Sequence, residues 1–374
     1  MCVEEIDLAA QTMFAELLQR ALDAEFDGEF PEKGSFTRKA SKGRLYWHYQ
    51  WREGDKVRSK YVGPATDPAI ADRIERFGDI KSGFKRRQIL IRALVAAGLP
   101  TPDALSGAVV EAMWKAGFFR LRGVLVGTLA FQTYAGPLGV KLGSRPLMTQ
   151  DADFAQFWGI SENIGESIVD PLTILRGVDP TFRAVPNVND PVVSTRYRNR
   201  MDYAVDFLTP NRGSARHQGR PVRMKALGGA GAQPLRHLDF LIHQTERSVL
   251  LFAGGVPVTV PRAERYAVHK LIVAVERVEQ TKSPKDILQA HALIQALATR
   301  RPAELARAWK TAWETGDQWR RKLVAGRQRL PAESQETLDR LVGVLKASAR
   351  RAKRPVPAKR KVKSPNRRGG PRRG

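Results

Sequence analysis

Two aspartates, Asp151 and Asp153, stand one residue apart in the otherwise apolar stretch LMTQDADFAQF. On a strand, side chains alternate between faces, so both carboxylates would share one side. Like charges beside a core repel and are costly to desolvate. A divalent cation, which takes oxygen ligands, would compensate them. Taken alone, the stretch suits a turn better, because Thr149-Gln150-Asp151 is good turn and cap chemistry. Two other segments weigh for the metal. GVLVG reads as a short buried strand that meets a helix at Gly127-Thr128. A glycine there lets backbone approach a ligand, and the helix start offers free N–H groups to phosphate. Further on, MDYAVDFLTP places Asp206 between Val205 and Phe207 in an apolar strand. Asp202 is the rival for this third carboxylate, and Asp239 in HLDFL is a weaker one.

The chain has 374 residues, 42% of them hydrophobic, which is enough for two or three domains and a sizeable core. No apolar run approaches the length of a membrane helix. The start, MCVEEIDLAA, lacks a basic-then-apolar signal, so secretion is not expected. One cysteine, Cys2, leaves no intrachain disulfide and points to a reducing, cytoplasmic setting. The six histidines are scattered, without zinc-ligand spacing. The formal net charge is +25, and twelve Lys/Arg with no acid lie from Arg350 onward, leaving +13 for the body. A basic body favours a polyanionic partner, nucleic acid or nucleotide phosphates.

Periodicity expects helices at 4–25, 67–98 and 102–117. GRLYWHYQWREGDKVRSKYVGP alternates strongly and turns at Glu53-Gly54-Asp55, a hairpin at about 43–63. Its aromatic and basic residues could hold nucleic acid by stacking and charge, although packing an aromatic face on a helix is the commoner use of such a hairpin. TLAFQTYAG reads as a helix, MTQDADFAQF as a strand, and ISENIGESIVDPLTILRGV as a helix ending at Gly177. YRNRMDYAVDFLTP and LRHLDFLIHQ read as strands, SVLLFAGGVPVTVP as a strand pair, and ALGGAGAQP as a flexible loop without a P-loop ending. Helices follow from 262 to about 348. The fold class is therefore α+β, a mixed sheet with helical flanks. Four regions result: an N-terminal helical region with the hairpin (1–118), a catalytic core (119–260), a C-terminal helical domain (261–348) and a basic disordered tail (349–374).

Gly127-Thr128, then Asp151-Ala152-Asp153, then Asp206 resembles the nucleotidyltransferase superfamily of the DNA polymerase β type. There a Gly-Ser-like turn opens a helix, D-x-D follows, and a third carboxylate comes from a neighbouring strand. Downstream, RAERYAVHKLIVAVER with His269-Lys270, and KSPKDILQA with Lys285-Asp286, resembles the bacterial minimal nucleotidyltransferases that include abortive-infection toxins of the AbiEii kind. The resemblance covers about residues 120 to 298. Thr128 stands where Ser is usual and keeps the hydroxyl.

The resemblance implies a cytoplasmic nucleotidyltransferase with two Mg²⁺ ions held by Asp151, Asp153 and Asp206. The enzyme would transfer a nucleoside monophosphate from an NTP to a hydroxyl by in-line attack at the α-phosphorus. Gly127 and Thr128 would hold the β- and γ-phosphates, and Lys270 would neutralise departing pyrophosphate. Lys285-Asp286 reads as a structural ion pair. The acceptor class that the basic body favours is RNA, tRNA included. A protein or small-molecule hydroxyl is the alternative acceptor, and a nucleic-acid-binding protein with a non-catalytic version of the fold is the alternative class. A toxin-like role would bring an antitoxin protein as partner. No membrane partner is expected. The strongly basic VVSTRYRNR, with Arg196, Arg198 and Arg200, would either receive a polyanion or form a solvated strand edge.

Overall fold

The structure is a computed structural model. It describes residues 4–352 except 24–33, 42–43, 54–55, 144–148, 164–165, 212–218 and 278–282. The tail beyond 352 and residues 27–33 of the DGEFPEKG segment lie outside the described residues.

Helix α1 (Leu8–Asp23) starts after Asp7, whose carboxylate accepts the Ala10 N–H. The hairpin is part of a three-stranded antiparallel sheet: β1 (Ser35–Ser41), β2 (Arg44–Glu53) and β3 (Lys56–Pro64), with β2 central. The expected pair is present; β1, which has no apolar alternation, was not expected. Helix α2 (Pro68–Ala96) and helix α3 (Ala104–Lys115) follow. Asp103 caps α3 through the N–H groups of Leu105 and Ser106.

The central sheet holds seven strands: β4 (Val124–Val126), β5 (Asp151–Ala155), β6 (Arg183–Val185), β7 (Arg196–Arg198), β8 (Ala204–Pro210), β9 (Val222–Arg223) and β10 (Gly231–Leu235). Its main path runs β4-β5-β8-β10-β9, and β7, carrying β6, pairs with the first half of β8. β5 and β8 are parallel, as are β8 and β10, while β4–β5 and β7–β8 are antiparallel. Between β4 and β5 lie α4 (Gly127–Gln132) and α5 (Ala135–Leu138). The apolar face of the sheet is aromatic: Phe154 stacks on Phe207 at 5.7 Å, and Phe118 and Tyr197 meet them edge-on.

Several expectations are corrected. The strand expected through YRNRMDYAVDFLTP is two, β7 and β8, with a turn between them, and the helix expected through TLAFQTYAG is the pair α4 and α5. The single helix through ISENIGESIVDPLTILRGV is two, α6 (Trp158–Asn163) and α7 (Pro171–Val178); the Asp170 side chain accepts the Thr173 N–H and Pro171 opens the second. LRHLDFLIHQ is not a strand but the end of β10 followed by helix α8 (Leu238–Ile242), a short apolar run of the kind periodicity cannot assign. The glycine-rich ALGGAGAQP is not a flexible loop. It holds a 3₁₀ turn at Lys225–Leu227 and most of β10, whose Gly231 stands where a Cβ would come within 2.4 Å of Val193 Cγ1. The strand pair expected next is present as β11 (Thr245–Leu250) and β12 (Val256–Pro261). Five helices close the chain: α9 (Ala263–Glu276), α10 (Ser283–Arg300), α11 (Pro302–Glu314), α12 (Asp317–Gln328) and α13 (Ala332–Ala352).

Candidate active site

Register brings the sequence-separated carboxylates together. Asp151 and Asp153 share one face of β5, and Asp153 pairs directly with Asp206 on parallel β8. Ala152 and Phe154 alternate to the opposite, aromatic face, as do Val205 and Phe207. Thr149 Oγ1 donates to Asp151 Oδ1, so the turn chemistry and the strand are both present: one leads into the other.

Burial pushes the Asp153 carboxyl up to about 7, and the neighbouring Asp151 and Asp206 push the same way. Lys270 and Arg277 lie near enough to oppose this. Burial lowers the Lys285 ammonium, against the pull of Asp151. The carboxylate row is thus walled by cations from the α9–α10 pair.

The structure adds a cation that sequence reasoning left undecided. Arg196 on β7 pairs in register with Asp206 and donates from Nε at 2.6 Å and from Nη2 at 2.7 Å, one bond to each carboxylate oxygen. Arg196, Asp206 and Asp153 form one row across three strands. The rival Asp202 is off the strand. The Asn199 side chain accepts the N–H groups of Met201 and Tyr203, and this turn leaves Asp202 at φ +64, 81% exposed and paired with Arg198. Asp239 sits exposed in the first turn of α8.

Gly127 is the residue on which the first turn depends. It has φ +66, and a Cβ there would come within 2.2 Å of Asp153 Oδ2. The Tyr266 hydroxyl lies 2.9 Å from both the Gly127 carbonyl oxygen and Gln289 Oε1, which share its one proton. Thr128 is buried, and its hydroxyl oxygen accepts from Gln289 Nε2. Gly127→Ala is expected to cost about 1–3 kcal/mol from backbone strain, with more from displacement of Asp153. Chemical denaturation, and activity measured on the folded fraction, check it; an unperturbed variant would show the turn to be incidental.

Lys270 is a buried residue, not a helix-surface lysine. Its Nζ donates to Asp286 Oδ1 at 2.6 Å and lies 5.2 Å from the Tyr266 ring centre. Asp286 also accepts from Arg277 at 2.9 Å. Burial raises the Asp286 carboxyl, but the two cations outweigh it and hold Asp286 below its ordinary value. Of the Lys285-Asp286 motif, Asp286 is in a structural ion pair, with Lys270 and Arg277 as its partners. Beside Lys270, burial drives the His269 imidazole down to about 3, so it is neutral.

Asp151 and Asp153 supply the oxygen chemistry that a hard divalent cation takes. Asp206 would join them only as Arg196 yields its oxygens. Among the described residues, no group of three or more His, Cys, Asp or Glu side chains is arranged to hold a metal ion.

A glycine turn, a carboxylate row and a wall of lysine and arginine define a site suited to phosphate esters. Residues 104–314, more than half the chain, match a family model described as nucleotidyltransferase. The chain belongs to the nucleotidyltransferase family. Residues 8–72 match a second family model, described as a domain of unknown function. Among solved structures, the chain is similar to an antigenic nucleotidyltransferase-like protein from Paracoccidioides brasiliensis. The two are 13% identical over 59% of this chain and 94% of that one, with a TM-score of 0.27. No curated protein matches. No helix among the described residues is long and apolar enough to cross a membrane.

Proposed function

We propose that this protein transfers a nucleoside monophosphate from an NTP to a hydroxyl of RNA, with Mg²⁺ held by Asp151 and Asp153. The observation that carries this is the register of Asp153 beside Asp206, which turns two distant sequence segments into one carboxylate row. Bound Mg²⁺ would neutralise phosphate oxygens and acidify the acceptor hydroxyl. Lys285 and Arg277 offer charge to the triphosphate as pyrophosphate develops. Gly127 keeps backbone, rather than a side chain, against Asp153. Asp206 accepts from Arg196 before substrate arrives and, once released, would take the acceptor proton. The reading includes the AbiEii-like branch and its cytoplasmic setting, through His269-Lys270 and Lys285-Asp286, and with it an antitoxin as candidate partner. The test is Mg²⁺-dependent pyrophosphate release from each NTP with total RNA present.

Arg196 makes a separate prediction. Arg196→Gln removes a cation from the row, and even a water-like dielectric assigns about 1 kcal/mol to one charge pair at 4 Å. Mn²⁺ binding to the nucleotide-free protein should tighten about fivefold. Unchanged affinity would mean that Asp206 takes no part in the cation site.

The same ion pair supports a second reading. A third carboxylate closed on both oxygens suits a fold that binds nucleic acid without catalysis. Absence of pyrophosphate release with every NTP would favour it.

A further inference from the structure

The N-terminal sheet lies outside the chemistry above, and it is built of basic and aromatic residues. From Ser35 to Pro64 the sequence holds eight Lys/Arg, two acids and six Phe, Tyr or Trp. Register sorts them by face. Cross-strand partners share a face, so Arg38 lies with Trp47, Phe36 with Tyr49, and Trp51 with Arg58. Alternation puts Trp47, Tyr49 and Trp51 together on that face. The other face carries Lys39 opposite Tyr46 and Arg52 opposite Val57.

On the first face the aromatic rings form a platform. Tyr49 is fully buried at its centre, edge-on to Phe36 at 4.8 Å and stacked with Trp51 at 6.0 Å. Trp47 and Trp51 remain half-buried. The Arg38 guanidinium lies over the Trp47 ring, 4.6 Å from its centre, and both Arg38 and Arg58 are exposed. Partly exposed rings interleaved with arginines are what single strands use: bases stack and phosphates meet cations, without sequence readout. A duplex keeps its bases stacked on one another and offers such rings nothing to pair with.

We propose that this face, centred on Trp47 and Trp51 with Arg38 and Arg58, docks single-stranded RNA. The docking rests on the sheet alone. The choice of RNA over DNA rests on the acceptor proposed above. The surface would hold the acceptor strand, leaving the carboxylate row to the reacting end.

The test is direct binding without NTP, so its outcome is independent of catalysis. The probe is a fluorescein-labelled single-stranded RNA of about twenty nucleotides, longer than the ~4–16 that one platform covers. The full chain is used throughout, so the basic C-terminal segment contributes equally to every variant. Trp47→Ala should weaken binding at least about fivefold, the lower end for one lost base–aromatic stack. Trp47→Phe should restore most of it. Arg38→Gln with Arg58→Gln should reduce the slope of log affinity against log salt by about 2, one unit for each phosphate contact. Lys39→Gln with Arg52→Gln removes equal charge from the other face and should reduce it less. Should Trp47→Ala fail to fold, the two exposed-arginine pairs decide the question.

Equal effects of the two pairs would overturn the proposal, as would wild-type binding by a folded Trp47→Ala protein. So would tighter binding of duplex RNA or of single-stranded DNA of the same length. Trp47-dependent binding to anionic phospholipid vesicles, with RNA binding unaffected by Trp47, would assign the face to a membrane surface instead.

Discussion

Asp153→Asn is expected to abolish nucleotidyl transfer and, at the same time, to stabilise the protein at pH 8. The loss should be at least about a hundredfold in turnover, the scale set by removing one preorganised electrostatic group. The stabilisation follows from the carboxyl's position at about 7, raised by burial and by Asp151 and Asp206. A raised carboxyl means that the folded protein binds a proton which the unfolded chain has already released. Stability therefore falls as pH rises from the ordinary carboxyl range, about 4, to about 7, and is level above that. Asparagine removes this loss. The melting temperature of the variant should exceed that of the wild type by more at pH 8 than at pH 5. Added Mg²⁺ should raise the wild-type melting temperature at pH 8 and leave the variant unmoved. A variant destabilised equally at both pH values would mean that Asp153 is already compensated by Lys270 and Arg277, with no need of a cation.

The second large effect is on folding. Asp286→Ala leaves Lys270 and Arg277 without their shared carboxylate, and the Lys270 side chain is only 11% exposed. Breaking a buried pair by removing one partner typically costs about 3–5 kcal/mol. Urea denaturation near neutral pH should show a loss of that order. Lys270→Met combined with Asp286→Ala should recover part of it, because the stranded ammonium is gone. The carboxyl is held below its ordinary value, so its contribution is present above the unfolded carboxyl value and lost as pH falls through the folded one. A loss below about 1 kcal/mol would place the pair in the class of weak surface bridges.

Both variants test residues that differed in how far the sequence revealed them. Asp151 and Asp153 were legible because period-2 alternation puts them on one face whatever the neighbouring strands do. Asp206 was legible from its apolar flanks. Its partner Arg196 was visible only as part of a basic stretch, because Asn199–Asp202 is a turn that ends one strand and restarts the chain in another. That turn also takes the rival Asp202 off the strand that carries Asp206. Arg277 carried no signal: it follows a helix, hydrogen-bonds Asp286 and acts by its charge on Asp153. Among the elements, β10 was hidden by its composition. GAQPL looks like a loop, yet its glycine is required because Val193 and its neighbours press against the strand. The three-stranded N-terminal sheet was half legible: β2 and β3 alternate, whereas SFTRKAS has no pattern and is recruited by pairing with β2.

The carboxylate row is proposed to transfer a nucleoside monophosphate to RNA. The measurement that tests it most directly is incubation of the full chain with each α-³²P-labelled NTP, Mg²⁺ and total cellular RNA, followed by electrophoresis. Label is expected on RNA for at least one NTP, dependent on Mg²⁺ and lost with Asp151→Asn, Asp153→Asn or Asp206→Asn. Label on RNA that persists in Asp153→Asn, or no label on any macromolecule with any NTP, would contradict it.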